Sequence, residues 1–263
     1  MPCIRAKGTA LHTARGLWIA PIILGFAMIG LWHSVTSLHM IDTYALPTPY
    51  DVAHELIRGV SEGYLLAALG TTLSEALYGC LTAAIIGIPA GFAIAHNPLL
   101  SCALEPFLAA SQAIPAIALA PLLVMWVGYG TAPIVILCTI MVVFPVIIAT
   151  AVGVRSVSSE LIGAAKLDGA HGRILVTSIE LPLAGPHILA GLRTGFTLAV
   201  TGAVVGEMVI GGDKGLGIQL VASQHMNATA PLFASIILLA SAAVAIYTVI
   251  KALEHKVFEL VSY

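Results

Sequence analysis

Charge is what this chain has least of. Asp, Glu, Lys and Arg make up 9% of its 263 residues, against about 25% in an average soluble domain. A soluble fold of this length needs a more polar surface, so the solvent this sequence suits is lipid. Aromatic residues are also few, at 6%, and the apolar excess is carried by Ala, Leu, Ile, Val and Gly. The mean hydropathy is +1.01. Small residues let helix backbones approach closely in a bilayer. A transmembrane barrel would show roughly ten-residue segments of alternating polarity, and none occurs.

Other absences narrow the function. The four cysteines, Cys3, Cys80, Cys102 and Cys138, form no CxxC pair and no ligand spacing, so neither a disulfide nor a metal is expected. No G-x-x-x-x-G-K-[ST] phosphate loop occurs; Gly212-Asp213-Lys214-Gly215 has the residues in the wrong order. If ATP drives this protein, another chain binds it. Gly59-Val60-Ser61-Glu62-Gly63 matches G-x-S-x-G, but a nucleophile elbow needs a preceding strand, and nothing suggests a sheet. His54-Glu55 begins like H-E-x-x-H, with Arg58 in the second His position. No catalytic residue is assigned and no nucleic-acid partner is expected.

What is present is a series of apolar runs. About 20 apolar residues cross the hydrocarbon as a helix, and six runs qualify: 17–40, 69–95, 106–127, 132–154, 186–210 and 231–250. The expected fold class is all-α integral membrane with six transmembrane helices. The first run is read as an uncleaved span, because it is long and lacks a small-x-small cleavage site. Lys and Arg favour the cytoplasmic side. With both termini inside, Arg5, Lys7, Arg15, Arg155, Lys166, Arg173, Arg193, Lys251 and Lys256 fall inside, and Arg58 and Lys214 outside. The inner loop 97–104 has neither Lys nor Arg. Outside, Pro47 and Pro49 favour extended backbone, and 51–60 reads as a short helix at the membrane surface. No linker divides the chain, so 1–263 is expected to form one domain.

The scarce charge gathers in ELIGAAKLDGAHGRILVTSIELP, residues 160–182. Ser158 or Ser159 suits a helix cap, and Glu160 suits the positive end of the dipole. The helix is expected to run to about Asp168, with Gly169 in the left-handed C′ position. A second short helix is expected over about 171–179, stopping before Pro182, with Pro186 opening the fifth span. Helix connections usually run 2–8 residues, so this loop is either a solvated basic segment that sets topology or a docking element for a soluble partner.

Gly163-Ala164-Ala165, then Gly169, then Ile179-x-Leu181-Pro182 resembles the EAA loop of permease subunits of binding-protein-dependent ABC importers. The Glu of EAA is Gly163 here; Glu160 lies one turn earlier. LPTP at 46–49, GIPAG at 87–91, Pro115, Pro121-Leu122, WVGYG at 126–130, Phe144-Pro145, Gly191-Leu192-Arg193, Gly206-Glu207 and Gly215-Leu216-Gly217 resemble the nitrate, sulfonate, taurine and bicarbonate branch. Glu75 departs from that branch's usual basic residue. The resemblance implies a type I ABC importer permease in the bacterial cytoplasmic (inner) membrane. It implies a coupling loop over 155–185 in which Glu160, Leu161, Gly163, Ala164, Ala165, Gly169 and Pro182 meet an ATPase. It also implies two ATP-binding subunits, a second permease copy, an extracytoplasmic solute-binding protein and surrounding lipid. No cofactor is bound by this chain; ATP and Mg belong to the partner ATPase.

Polar residues within spans usually face an interior. The candidates for a translocation pathway are Gln112, Pro115, Thr197, Thr201 and Glu207. Glu207, near the outer end, has an alternative structural role, as has Glu75. Pro115, Pro121 and Pro145 are candidates for loosening their helices. Gly202 and Gly206 suggest close helix packing. An ion-gradient-driven secondary transporter and an intramembrane enzyme are the rival readings.

Overall fold

The computed structural model describes residues 13–38, 40–42, 44–111 and 113–261, which are helical with short connections and include no strand. Residues 1–12, and with them Arg5 and Lys7, lie outside this set, as does Gln112. In chain order the helices are α1 (Thr13–Ser37), α2 (Pro49–Ser61), α3 (Tyr64–His96), α4 (Pro98–Ser111), α5 (Ala116–Val127) and α6 (Thr131–Arg155). After these come α7 (Ser159–Leu167), α8 (Arg173–Leu175), a π-helical turn (Val176–Glu180), α9 (Leu181–Ile210), α10 (Leu216–His225) and α11 (Thr229–Val261).

Among the described residues four stretches are long and apolar enough to cross a bilayer: Tyr64–His96, Thr131–Arg155, Arg173–Ile210 and Thr229–Glu254. Shorter apolar stretches are Ile23–Ser37, Pro98–Leu108 and Ile117–Val127. The expected third span, 106–127, is not one helix. It resolves into α4 and α5, because Pro115 sits at the N-cap of α5 with extended backbone and has no N–H with which to continue the α4 ladder. The expected inner loop 97–104 is helical from Pro98 onward. The Asn97 side chain accepts from the N–H groups of Leu99 and Leu100 at 3.0 and 3.2 Å, and Pro98 opens the helix where its missing donor costs nothing.

The core is a cluster of three mutually packed helices, α3, α6 and α9, with α6 making the most extensive contacts. Small residues set the spacing. On α3, Gly79, Ala83, Gly87 and Gly91 recur every four residues on one buried face. A Cβ added at Gly91 would lie 2.5 Å from Thr150 Cβ and 2.8 Å from the Ile147 carbonyl. From α9, Gly195, Gly202 and Gly206 approach Val142, Met141 and Ile134 of α6. Cys80, Cys138, Val142, Val146, Ala199 and Ala203 fill the space between. Outside this core, large apolar side chains such as Phe26, Ile85, Met125 and Val244 are exposed, which suits a lipid-facing surface.

The two ends of the bundle differ. At the α10 end, α2 starts at Pro49 behind Thr48, whose Oγ1 accepts from Asp51 N–H at 3.1 Å. The helix expected over 51–60 is therefore present and slightly longer. At the opposite, loop end, α7 projects from the bundle with no buried residue.

Candidate functional site

The loop end is built from local signals. Ser158 Oγ accepts from the Leu161 N–H at 3.3 Å and caps α7, while Glu160 occupies the first turn. At the other end Gly169 has φ +91°. The Gly169 N–H donates to the Lys166 carbonyl at 3.1 Å and the Ala170 N–H to the Ala165 carbonyl at 2.9 Å. This is the paired 5→2 and 6→1 arrangement that closes a helix behind a glycine. Gly163 has nothing within 4 Å of where a Cβ would stand. Leu161 is 53% and Leu167 91% exposed. Glu160, Leu161, Gly163, Ala164 and Ala165 thus share one short, doubly capped helix that packs on α8 and is otherwise largely exposed.

Beyond α7 the expected second helix over 171–179 is replaced. Only Arg173–Leu175 is α-helical, and the backbone then widens into the π turn and continues into α9 without stopping. Pro182 does not end a helix; it is the second residue of α9, directly after the π turn. Pro186 is inside α9, so the fifth helix opens at Leu181, five residues earlier than expected.

The pathway candidates do not converge on one cavity. Gln112 lies outside the described residues. Pro115 is exposed at the break between α4 and α5. That break borders a cavity of about 390 Å³ lined by Ser111, Ile114, Met141, Phe144, Pro145 and Leu198. A second cavity of about 390 Å³ shares Pro145 and continues along α6 and α9 to His187 and Thr194. Thr197 and Thr201 are exposed on α9 beside this groove, each donating to the carbonyl four residues earlier, Arg193 at 3.2 Å and Thr197 at 3.1 Å. Their hydroxyls are thereby satisfied within the helix while remaining on an open face.

Glu207 is elsewhere. It is 1% exposed and closes the α10 end. Its Oε2 accepts from the Gly217 N–H at 2.6 Å, and its Oε1 accepts from Thr72 Oγ1 at 2.7 Å. Thr72 Oγ1 in turn accepts from the Leu216 N–H at 2.9 Å. The first N–H groups of a helix have no partner within it, and α10 has glycine at its N-cap with no side-chain cap. Thr72 and Glu207 supply that cap from α3 and α9. Glu75, also buried, adjoins Glu207, and its Oε2 has no hydrogen-bond partner. It borders a polar cavity of about 690 Å³ with Thr71, Tyr129, Thr131, Asp213 and Lys214.

Two contacts escaped sequence reasoning. Thr72 had one indirect signal, the Gly215-Leu216-Gly217 helix start that lacks a cap of its own. The pairing of His96 with Glu180, 3.0 Å from Nε2 to Oε2, had none, because 84 residues separate the partners.

Similar proteins agree with this architecture. Residues 83–259 match the family described as binding-protein-dependent transport system inner membrane component. The riboflavin transport system permease protein RibX of Chloroflexus aurantiacus is 36% identical over 258 residues, covering 97% of this chain and 96% of that protein. The taurine transport system permease protein TauC of Escherichia coli is 28% identical over 259 residues, covering 94% of each. The putative aliphatic sulfonates transport permease protein SsuC of Bacillus subtilis is 26% identical over 242 residues, covering 92% of this chain and 87% of that protein. Among solved structures, a chain from the inward-facing MetNI methionine ABC transporter superposes with a TM-score of 0.67 at 19% identity, covering 75% of this chain and 97% of that one. The fold is that of a type I importer permease. This chain belongs to the binding-protein-dependent transport system inner membrane components, the integral membrane permease subunits of ABC importers.

Proposed function

We propose that the chain carries a small organic solute or anion into the cytoplasm, driven by ATP hydrolysis on a separate subunit that docks on α7. The observation that carries this reading is the state of α7: capped at both ends, unburied, and joined through α8 and the π turn to α9. A helix so ordered and so uncovered has the form of a lever waiting for a partner surface. Small residues at 163–165 let that surface come close, and Leu161 offers it an apolar contact.

In this reading the loop end faces the cytoplasm with both termini, and α4 and α5 together make one of six crossings. Two ATPase subunits, which hold the ATP and Mg, serve two copies of this permease. A solute-binding protein delivers to the α10 end. The chain forms one domain, and the open face of α9 carrying Thr197 and Thr201, with the groove through Pro145, lines the route. Riboflavin and sulfonates, named in the relatives, are the first solutes to try. Glu207 belongs to the frame of this route rather than its lining.

The test is Ala165→Trp in the assembled transporter. The bulky ring is expected to abolish co-purification of the ATPase while the permease still inserts. Normal docking and uptake by this variant would remove α7 as the docking element. Uptake that persists after ATP depletion would instead favour an ion-driven carrier.

A further inference from the structure

We propose that His96 and Glu180 form a strut that passes movement of the inner loop into α3, making them positioning residues for energy coupling. This deepens the transport reading above and rests on it.

The geometry at the loop end leaves α7 few routes into the bundle. It has no buried residue of its own, and it packs on α8. From α8 the chain passes through the π turn into α9. A π turn is a wider coil than the α-helix around it and occurs often at functional sites. Its last residue, Glu180, is 3% exposed. Burying a carboxylate demands a partner, and the partner is not local. His96 Nε2 lies 3.1 Å from Oε1, in hydrogen-bonding geometry, and 3.0 Å from Oε2.

His96 is held from behind as well. It ends α3, its ring stacks on Phe92 at 6.3 Å between centroids, and its Nδ1 lies 2.9 Å from the Phe92 carbonyl. A carbonyl only accepts, so Nδ1 carries a proton there. The ring is thereby fixed on α3 and presents Nε2 to the loop. Arg155, at the end of α6, donates to the Ile94 carbonyl at 3.3 Å and to Ser101 Oγ at 2.7 Å. The loop end of α3 is therefore gripped from α6 and from the π turn. A push on α7 reaches α9 through the main chain; it reaches α3 through the packing of Phe92 and Ala95 on Ala184 and Ile188 and, as the polar link, through the His96–Glu180 contact.

The experiment uses the full chain assembled with its ATPase in lipid nanodiscs, read by hydrogen exchange with and without ATP plus vanadate, alongside ATP hydrolysis. In the wild type, trapping is expected to change exchange both at 92–97 and at 181–190. In Glu180→Gln and His96→Ala, the change at 92–97 is expected to fall by roughly fivefold or more, within the range of ordinary coupling contacts. The change at 181–190 and the hydrolysis rate should persist. His96→Lys, which keeps a cation for Glu180, should restore the response of α3. A response at 92–97 equal to wild type in both Glu180→Gln and His96→Ala would overturn the strut. So would joint loss at both segments in all three variants, because that describes support of the fold and not transmission. A wild type that responds at neither segment overturns the ATP-driven reading and the strut together.

Discussion

Replacing Glu207 by leucine separates a structural carboxylate from a solute-contacting one. The side chain is buried, its oxygens accept from Thr72 Oγ1 and from the Gly217 N–H, and the Glu75 side chain lies in hydrogen-bonding contact beside it. Leucine removes both acceptors at similar volume. The two donors then fare differently. The Thr72 hydroxyl has the Ala68 carbonyl at 3.2 Å as a second acceptor. The Gly217 N–H is buried and donates to the Glu207 carboxylate, and leucine offers it no acceptor in exchange. One buried donor is orphaned, at about 1–3 kcal/mol. Loss of the α9 carboxylate that faces the first turn of α10 adds about 0.3–1 kcal/mol. For a chain of this size each kcal/mol lowers the melting temperature by about 2–4 °C, so the midpoint should fall by roughly 3–15 °C. Glu207→Gln should be milder, since its amide keeps one acceptor and can donate to the unpartnered Glu75 Oε2. Thermal melts of the purified variants in nanodiscs, read by tryptophan fluorescence, measure this directly. An unchanged midpoint in Glu207→Leu, together with an altered solute concentration dependence of uptake, would refute the argument and put Glu207 in the route.

Other parts of the molecule make separate predictions, each with its own measurement. Gly91→Ala forces a methyl group against Thr150 and Ile147 and should destabilise by about 1–3 kcal/mol, whereas Gly70→Ala, with nothing within 4 Å, should be neutral or stabilising by up to about 1 kcal/mol; equal melts for the two would contradict the packing of α3 on α6. Ser158→Ala removes the cap on Leu161 N–H and should weaken α7 by about 0.5–2 kcal/mol, seen as faster hydrogen exchange over 159–163 with the bundle unchanged. Arg193→Gln breaks the 2.6 Å pair with Glu254 and the stacking over Tyr247 at 5.0 Å. With both partners mostly buried, its cost should reach about 1–3 kcal/mol, in denaturation of the purified chain.

The elements differ in how much of them the residues announce. The cap at Ser158, the end of α7 near Asp168 and the left-handed Gly169 could be read in advance, because a helix end is decided by bonds that span only a few residues. The helix that begins at Pro98, where a loop was expected, and the break before α5 were not spelled out in the same way. Asn97-Pro98 and Pro115 are ordinary cap and turn signals, but within an apolar run a proline is compatible with both a kinked and a broken helix. The same ambiguity hid the continuity of α9 through Pro182 and Pro186, since a π turn before a proline has no local spelling.

By themselves, the residues determined that this chain lives in lipid, that it is helical, and that a capped polar helix interrupts its apolar runs. Those properties follow from composition, from period and from contacts a few residues apart. Tertiary structure alone decided that Thr72 and Glu207 together cap α10, that glycines on α3 and α9 bring both helices close to α6, and that His96 meets Glu180. Each of those contacts joins residues tens to more than a hundred positions apart, and only the packing of helices in three dimensions selects which distant polar group will satisfy a buried one.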